Sequence, residues 1–288
     1  MKRFSIVGAG RLGTALGAAL VRAGWQAESL IDKDARAARE SRLIIGAGRA
    51  STRLAAAAKA RGTVFVTVPD DAVEGVARAM ARAGGRWDGR DVFHTSGLLP
   101  AAVLAQLAHR GARVASLHPV QSFPRKDMPA SAFRGITWGI EGEPEGVESA
   151  AGIARALGGH VLLLSAEDKS LYHAACALAS NALVALERTA VEVLSRVGLG
   201  EEAAARSLLP LAQGTLQNVK SLGLEKSLTG PLLRGDVQTV RRHLEALRAL
   251  PEARRVYVVL GRQVLRLAAR RGLPAAKVRS LKRLLEGR

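Results

Sequence analysis

Short apolar runs alternate with longer amphipathic segments over the first half of the chain. Apolar runs rich in β-branched residues predict buried strands, and apolar residues spaced three and four apart predict helices. Strands are predicted at residues 4–7, 27–31, 43–45, 63–68, 91–94, 114–117, 135–140 and 160–164. Helices are predicted at residues 14–22, 53–60, from 73 onward and at 147–156. Strands that alternate with helices in this way predict a doubly wound, mostly parallel α/β sheet.

The pattern changes to helices alone from residue 166 onward. Helices are predicted at residues 168–197, 203–222, 237–250, 253–271 and 275–285, with a tight polar loop at residues 229–236. This change of period predicts two domains, a sheet domain at residues 1–165 and an all-α C-terminal domain at residues 166–288.

A glycine motif, GAGRLG at residues 8–13, follows the first predicted strand and opens the first predicted helix. In this strand–motif–helix context the pattern is typical of a Rossmann-like dinucleotide-binding domain. Gly8 permits a tight turn, Gly10 lets the backbone approach a pyrophosphate, and Gly13 lets the helix pack closely on the strand. The N–H groups of the new helix then face the diphosphate. The predicted cofactor-binding residues of the motif are Gly8, Gly10, Arg11, Leu12 and Gly13.

An acidic residue, Asp32, ends the second predicted strand. It lies about 20 residues beyond the motif, where a carboxylate holds the adenosine ribose hydroxyls, and it favours NAD. Lys33 and Arg36 follow closely and could bind a 2′-phosphate, so both NAD and NADP stay open. The alternative interpretation of Asp32 is a turn or N-cap residue before the next helix.

Polar clusters follow four of the predicted strands, at residues 8–13, 69–71, 95–97 and 118–123. Ligands of such sheets lie outside the carboxyl ends of the strands, so this common placement predicts one site. Asp70 and Asp71 are interpreted as caps of the following helix rather than as catalytic acids. The predicted cofactor residues therefore include Lys33, Val68, Pro69, Asp70 and Ser96, and the predicted substrate residues include Ser96, His118 and Gln121.

Lys169 and His173 lie one turn apart on the first helix after the sheet, whereas Asn181 points in another direction. A lysine and a histidine at the start of a buried helix could protonate or polarise a carbonyl. The alternative is a solvated first-turn lysine and a hydrogen-bonded packing histidine.

His118 and Arg234 are candidates for substrate binding. His118 precedes a proline at a strand end, where its imidazole could donate to a substrate carbonyl or carboxylate or hold the nicotinamide region. Its structural alternative is a bond to a neighbouring loop backbone. Arg234 offers a guanidinium suited to a carboxylate or phosphate. Its alternative, which we favour slightly, is an ion pair with Asp236 that rigidifies the loop.

The composition narrows the class of protein. The net charge of +18 could attract nucleic acid, but aromatic residues make up only 3% of the chain and leave little to stack on bases. We favour solvated, arginine-rich helix faces instead. The single cysteine, Cys176, indicates a reducing cytoplasm, and we expect neither a secretory leader nor an apolar run of about 18 residues that could span a membrane. No metal-ligand spacing is visible.

Six stretches run from the first strand into the last third of the chain: IVGAGRLGTAL, VTVPDDAV, FHTSGLL, ASLHPVQSF, DKSLYHAACALASNALVAL and TGPLLRGDVQTVRRHL. In them the chain resembles Rossmann-like proteins whose C-terminal half is an all-helical domain of unknown function. Relatives of that family include pyrroline-5-carboxylate reductase, ketopantoate reductase and 6-phosphogluconate dehydrogenase. The resemblance implies an NAD(P)-binding domain, with NADP favoured, and a helical domain that forms a homodimer, with substrate held in the cleft between the domains.

The resemblance also bears on the candidate residues. Lys169 matches the catalytic lysine of several relatives, while His173 stands where an asparagine follows in those proteins. Asn181, two turns further on, is retained as a candidate for that asparagine. The His118–Pro119 pair is similar to the His-Pro that follows a sheet strand in prephenate dehydrogenases.

We therefore predict an NAD(P)-dependent oxidoreductase that moves a hydride between nicotinamide and a small anionic carbonyl or imine compound. One alternative is a non-catalytic redox sensor that binds NAD(P) and signals through its helical half. A second, weaker alternative is a nucleic-acid adaptor that uses Arg255, Arg262, Arg266 and Arg270.

Overall fold

The computed structural model describes residues 2–287 and divides into two compact units, Met1–Ala177 and Leu178–Arg288. The predicted boundary at residues 165/166 falls earlier than this division. The loop that follows the sheet and all but the last two residues of the next helix, Lys169–Ala179, therefore belong to the first unit rather than to the helical one.

The first unit contains an eight-stranded sheet. Its strands are Arg3–Val7 (β1), Gln26–Ile31 (β2), Arg49–Ser51 (β3), Thr63–Val66 (β4), Asp91–His94 (β5), Arg113–Pro119 (β6), Thr137–Gly142 (β7) and His160–Leu163 (β8). Their spatial order is β3-β2-β1-β4-β5-β6-β7-β8. Only the β6–β7 pairing is antiparallel among these strands. The predicted mostly parallel, doubly wound sheet is confirmed.

Seven helices connect or follow these strands. They are Arg11–Arg22 (α1), Ala35–Ile45 (α2), Ala55–Lys59 (α3), Asp70–Arg82 (α4), Ala105–Ala108 (α5), Pro144–Ala156 (α6) and Lys169–Ala179 (α7). Two apolar layers cover the two faces of the sheet. Phe65 and Phe93 pack towards the layer that includes α1 and α6, whereas their neighbours Val66 and Val92 pack towards the layer of α3, α4 and α5. This alternation follows from the two-residue period of a strand.

The predicted third strand at residues 43–45 is wrong. These residues are the last turn of α2, which ends at Gly46 in the left-handed conformation. Leu43 is 75% exposed while Ile45 is buried, which is the pattern of an amphipathic helix end. A short apolar run cannot distinguish a strand from a helix end, and the strand actually lies at β3.

The second unit is helical. Its helices are Asn181–Ser195 (α8), Glu201–Lys226 (α9), Pro231–Arg234 (α10), Val237–Ala246 (α11), Pro251–Arg270 (α12) and Ala275–Leu285 (α13). Leu232, Val240, Leu265 and Leu281 form the centre of an apolar core between α10, α11, α12 and α13. In contrast, Val191 is the only buried residue that α8 contributes within the described part of the chain, and Ala204 is the only one in α9.

The long helix predicted at residues 168–197 is divided at Ser180, which has φ −119° and ψ −72° and separates α7 from α8. Serine and asparagine compete for backbone hydrogen bonds and favour helix ends, and the Ser180–Asn181 pair lies at this break. The expectation that no stretch could span a membrane also needs correction. Within residues 2–287, the stretch Lys169–Ser195 is long and apolar enough by length and composition alone. That is weak evidence, since the stretch is broken and begins with a buried lysine.

Candidate functional site

The glycine motif forms an open loop between β1 and α1. Gly8 has φ +105°, and a Cβ there would lie 2.7 Å from the backbone of Thr67 and Val68. At Gly10, by contrast, a Cβ would meet no atom of the described residues within 4 Å. The first glycine therefore serves the turn and its close approach to the neighbouring segment, and the second leaves room for a ligand.

The N-terminus of α1 fits a phosphate. No side chain of the described residues caps this helix, and its first turn carries no acidic residue. The helix has 12 residues, so its free N–H groups and its dipole favour an anion at Gly10 and Arg11. Arg11 is exposed and Leu12 is half-buried. Gly13 lies against the Gly8 carbonyl and the Thr67 hydroxyl, where a side chain would collide.

Asp32 faces the glycine loop. Its Oδ2 accepts a hydrogen bond of 2.8 Å from the Ala9 N–H, and its Oδ1 accepts one from the Asp34 N–H. The N-cap of α2 is Asp34, whose side chain accepts from Arg36 N, so Asp32 is not the N-cap. Its bond from the Asp34 N–H is that of a turn residue, which agrees with the other half of the alternative interpretation. The carboxylate thus lies beside the loop that would hold the diphosphate, and Lys33 next to it is exposed.

The segment after β4 contains Val68, Pro69 and Asp70. Val68 is half-buried, and the other two are exposed. The N-cap of α4 is Pro69, and no side-chain capping bond is formed by the described residues there, so Asp70 and Asp71 are first-turn acids rather than the predicted caps. Both still interact favourably with the helix dipole.

Lys169 is the most deeply buried charged side chain of the site, with 0% exposure. Its Nζ donates to the Ser116 hydroxyl at 2.5 Å and to the Ser96 carbonyl at 3.3 Å. Burial lowers the pKa of Lys169 to about 8, and the nearby carboxylates of Glu141 and Asp70 partly offset that shift. The interpretation of Lys169 as a solvated first-turn residue is therefore wrong. An amine with a pKa near neutrality can both give and take a proton.

Two serines support this lysine. The Ser116 hydroxyl donates to the Ser96 carbonyl, and the Ser96 hydroxyl accepts from the N–H groups of Leu98 and Leu99. Ser96 is itself buried, so it shapes the loop after β5 from inside. Its carbonyl is the common acceptor for Lys169 and Ser116.

Glu141 and His94 complete the buried polar layer. Glu141 pairs directly with Ser116 in the β6–β7 register, and its Oε2 accepts from Ala101 N at 2.6 Å. His94 Nδ1 accepts from Ser96 N, and its Nε2 lies 3.2 Å from the Pro100 carbonyl. This pattern places the proton on Nε2. Burial, chiefly, and the charge of Lys169 lower the pKa of His94 to about 3.

His118, Tyr172 and His173 form an aromatic group beside the lysine. His118 Nδ1 lies 2.7 Å from the Tyr172 hydroxyl, so it does not bond a neighbouring loop backbone. Burial, with contributions from His173 and Lys169, lowers the pKa of His118 to about 4. The His173 Nδ1 is buried without a hydrogen-bond partner in residues 2–287, contrary to its interpretation as a hydrogen-bonded packing residue. Both imidazoles pack on Gly97, where a Cβ would lie 2.5 Å from His173 Nδ1.

The remaining candidates lie apart from this cluster or in the other unit. Gln121 is exposed, and its Oε1 accepts from the Ser122 N–H. Asn181 and Arg234 are exposed residues of the second unit, and their roles stay predictions. Asp236 caps α11 by accepting from the Thr239 N–H and the Thr239 hydroxyl. The charge of Arg234 contributes to the lowered pKa of Asp236, but the two side chains form no ion pair within 4.0 Å in the described chain, so the predicted direct pair is wrong.

Four residues of the cluster were missed by the sequence analysis: His94, Ser116, Glu141 and Tyr172. Ser116 precedes His118 by two residues on one strand, so the strand period alone places both side chains on one face. Tyr172 lies three residues after Lys169 on α7, which is helical spacing. Glu141 has no such signal, because the antiparallel register of β7 is not written in local sequence.

Two further features bear on the class of protein. Residues 2–287 contain no group of three or more His, Cys, Asp or Glu arranged to hold a metal ion. The four arginines of the predicted nucleic-acid face all have partners within the second unit: Arg255 bonds Glu252, Arg262 bonds the Leu285 carbonyl, Arg266 bonds Gln263 and Arg270 pairs with Glu225.

Comparison with known protein families divides the chain earlier than the fold does, because the second match begins at residue 136, within the sheet unit. Residues 2–119 match the model of a Rossmann-like domain, and residues 136–264 match a domain of unknown function, DUF2520. The chain joins a Rossmann-like domain to a DUF2520 domain. The predicted family resemblance is thereby confirmed. No curated protein matches the chain in sequence.

Solved structures share this architecture. Protein TM1727 from Thermotoga maritima is 26% identical, with a TM-score of 0.73 over 93% of this chain and 99% of that one. BF3122 from Bacteroides fragilis, described as a candidate NADP oxidoreductase, is 24% identical, with a TM-score of 0.73 over 92% and 98%. A reductive aminase from Aspergillus terreus, solved with NADPH and ethyl levulinate, is 22% identical, with a TM-score of 0.65 over 98% of each chain. The last two likenesses show a common fold.

Proposed function

We propose that this Rossmann-like/DUF2520 protein is an NAD(P)-dependent oxidoreductase that moves a hydride between nicotinamide and a small anionic carbonyl or imine compound. The observation that carries the proposal is a fully buried lysine with a pKa near neutrality in the same unit as an open dinucleotide loop. Strands β1, β4, β5 and β6 are neighbours in the sheet, and their carboxyl ends carry the loop and the lysine cluster.

The residues of the loop fit a dinucleotide. The open space at Gly10 and the uncapped start of α1 suit a diphosphate, and Asp32 suits ribose hydroxyls. Lys33 beside it suits a 2′-phosphate, and the resemblance to NADP-binding proteins supports NADP over NAD. Bound NAD(P)H supplies the hydride.

Lys169 supplies the proton in this account. Its Nζ holds a proton at neutral pH, and Ser116 and Ser96 fix its position. On reduction the proton passes from Nζ to the heteroatom of the substrate, and on oxidation the neutral amine takes it back. His118 orients the substrate beside Lys169. A buried ammonium with a lowered pKa at this place supports a catalytic role over that of a non-catalytic sensor.

We also propose that the protein forms a homodimer through its helical unit. Among the exposed apolar side chains of α8 and α9 are Val184, Leu209, Leu211, Leu216 and Leu224, with exposures between 49% and 71%. Two long helices with so little buried surface indicate a face that another chain covers. A second copy of this chain is the occupant that the resemblance to dimeric reductases supports.

The test of the redox proposal is the oxidation of NADPH or NADH, followed by nicotinamide absorbance, with a panel of small oxo acids, ketones and cyclic imines. Wild-type protein should turn over at least one class, and Lys169→Met should lose turnover at least about 100-fold while it keeps its cofactor affinity. Cofactor binding without turnover of any panel member would favour the sensor instead. A large loss of cofactor affinity in Lys169→Met would overturn the role given to Lys169.

A further inference from the structure

His118 and Tyr172 meet at a single hydrogen bond. The imidazole Nδ1 lies 2.7 Å from the phenol oxygen, and the two rings are perpendicular with centroids 5.6 Å apart. Gly139 on β7 makes room for the hydroxyl, because a Cβ at that position would collide with the phenol oxygen. The contact therefore joins β6, β7 and α7 at one point.

The chemistry of the two rings decides the direction of this bond. A phenol is a better donor than a neutral imidazole N–H, and an imidazole nitrogen is a better acceptor than a phenol oxygen. Burial raises the pKa of Tyr172 above its ordinary value, so the hydroxyl keeps its proton, and burial also holds the His118 ring neutral. The other groups around the hydroxyl are the Cys176 thiol, which is a weak acceptor, and the Gly139 backbone. The short distance is typical of an O–H donor.

We propose that the Tyr172 hydroxyl donates to His118 Nδ1 and holds His118 as its Nε2–H tautomer. His118 is then a fixed hydrogen-bond donor at the site, which accordingly takes a carbonyl oxygen in preference to an iminium nitrogen. Tyr172 is the positioning residue of this arrangement. The proposed tautomer does not depend on the proposed function, whereas the proposed substrate class rests on it.

The free side of His118 faces the site. Its Nε2 has no hydrogen-bond partner in residues 2–287 and lies beside Gly97, 3.0 Å from where a Cβ would stand. Lys169, His173, Tyr172 and His94 are the titratable groups that surround the ring. A substrate atom at Nε2 therefore meets an N–H, and Lys169 offers only N–H groups as well.

These donors suit a carbonyl oxygen. When the hydride adds to the carbonyl carbon, the π electrons of C=O move to oxygen, and that oxygen takes the Lys169 proton to become a hydroxyl; nicotinamide is oxidised and Lys169 is left neutral. A protonated iminium nitrogen has no lone pair for either donor and places a second cation beside the ammonium. Its reduction by hydride also consumes no proton, so Lys169 would have no part in it.

The first experiment reads the tautomer directly, without cofactor or substrate. Long-range ¹H–¹⁵N correlation spectra of the labelled full chain at neutral pH distinguish a protonated ring nitrogen from an unprotonated one, and the His118→Gln spectrum assigns the signals. We expect wild-type His118 to show Nε2–H alone and Tyr172→Phe to show a mixture of tautomers. An Nδ1–H tautomer in the wild type, or an unchanged tautomer in Tyr172→Phe, would overturn the proposal.

The chain supplies a matched control. His243 Nδ1 lies 2.9 Å from the Tyr257 hydroxyl, with perpendicular rings 5.7 Å apart, but this pair is in the helical unit. Tyr257→Phe removes the same kind of bond at the same geometry. It should leave the His118 signals unchanged; a shift of those signals equal to that in Tyr172→Phe would show that the effect is not specific.

The second experiment tests the substrate class with an isosteric pair, cyclopentanone and 1-pyrroline, the latter at a pH where it is protonated. In calorimetric titrations in the presence of NADP⁺, the wild type should bind the ketone with a dissociation constant at least about tenfold lower than that of the pyrrolinium ion, and His118→Gln should lose that preference. Equal or stronger binding of the pyrrolinium ion, or no effect of the ketone, would overturn the substrate class. If NADP⁺ itself failed to bind, the proposed function would fail while the tautomer result stood.

Discussion

The Nζ of Lys169 lies 2.5 Å from the hydroxyl of Ser116, which ties the first turn of α7 to the middle of β6. This bond explains why α7 begins in the compact unit of the sheet rather than in the helical unit. It also explains the chemistry of the amine, because a lysine that is carried into the sheet unit loses its hydration and its pKa falls towards neutrality.

Lys169→Met should remove the rise in the free energy of unfolding that the wild type shows at alkaline pH. The pKa of this amine is about 8 in the folded chain against an ordinary 10.5, so between these values the unfolded chain binds more protons and stability rises with pH. The rise amounts to at most about 3 kcal/mol. Urea unfolding across that range should show the rise in wild type and in the exposed-lysine control Lys59→Met, but not in Lys169→Met. An equal rise in all three would contradict the burial of the charge.

His94→Gln should make the protein less sensitive to acid. The pKa of His94 is about 3 when folded against an ordinary 6.5, so stability from this group is complete above 6.5 and is lost as the pH falls towards 3. The expected loss is about 1.4 kcal/mol for each pH unit within that window. Unfolding by urea at successive pH values measures the slope. The exposed His109→Gln should keep the wild-type slope, and the hypothesis fails if His94→Gln keeps it too.

Lys33→Glu should lower the affinity for NADPH far more than the affinity for NADH. The exposed ammonium beside Asp32 favours a 2′-phosphate, and a carboxylate there repels it, so NADPH affinity should fall about tenfold or more while NADH affinity stays within about twofold. Fluorescence titration of the variant with both cofactors measures this, and the titration with NADH, which has no 2′-phosphate, is the control. A parallel loss for both would indicate damage to the loop instead of a phosphate contact.

Leu216→Asp should weaken the homodimer. Leu216 is 52% exposed on α9. A carboxylate at this position is costly in an apolar interface, because a symmetric dimer desolvates one carboxylate from each copy. Light scattering after size-exclusion chromatography should give a dimer for wild type and a monomer for the variant at micromolar concentration. Leu43→Asp, on the exposed side of α2, should remain dimeric. A monomeric wild type would refute the proposed assembly.

The elements with strong periodicity were predictable from the sequence. The strand β4 is β-branched or aromatic throughout, and α13 has an apolar stripe whose predicted bounds are those observed. The prediction of a third strand at residues 43–45 was wrong because a three-residue apolar run is too short to show a period. The break at Ser180 was not predicted because apolar residues continue on both sides of it. Only the local preference of serine and asparagine for helix ends marks the position.

The site was predictable only in part. The glycine loop, His118 and Lys169 stand at strand or helix ends, where position itself indicates function. Their partners were not visible, because Glu141 reaches Lys169 through the antiparallel register of β6 and β7, which depends on the whole connection between the strands. Burial decided the interpretation of Lys169, and burial is a property of the packed chain rather than of any motif.

The measurement that tests the account most directly is a fluorescence titration of the wild type with NADPH and NADH, alongside Gly10→Asp and Gly75→Asp. A Cβ at either glycine meets no described atom within 4 Å, so both variants should fold, but only the first places a carboxylate where the diphosphate would lie. The account predicts micromolar binding of NADPH by the wild type and by Gly75→Asp, and a loss of at least about 100-fold in Gly10→Asp. Absence of binding by the wild type, or equal binding by all three, would contradict the dinucleotide site on which the proposed function rests.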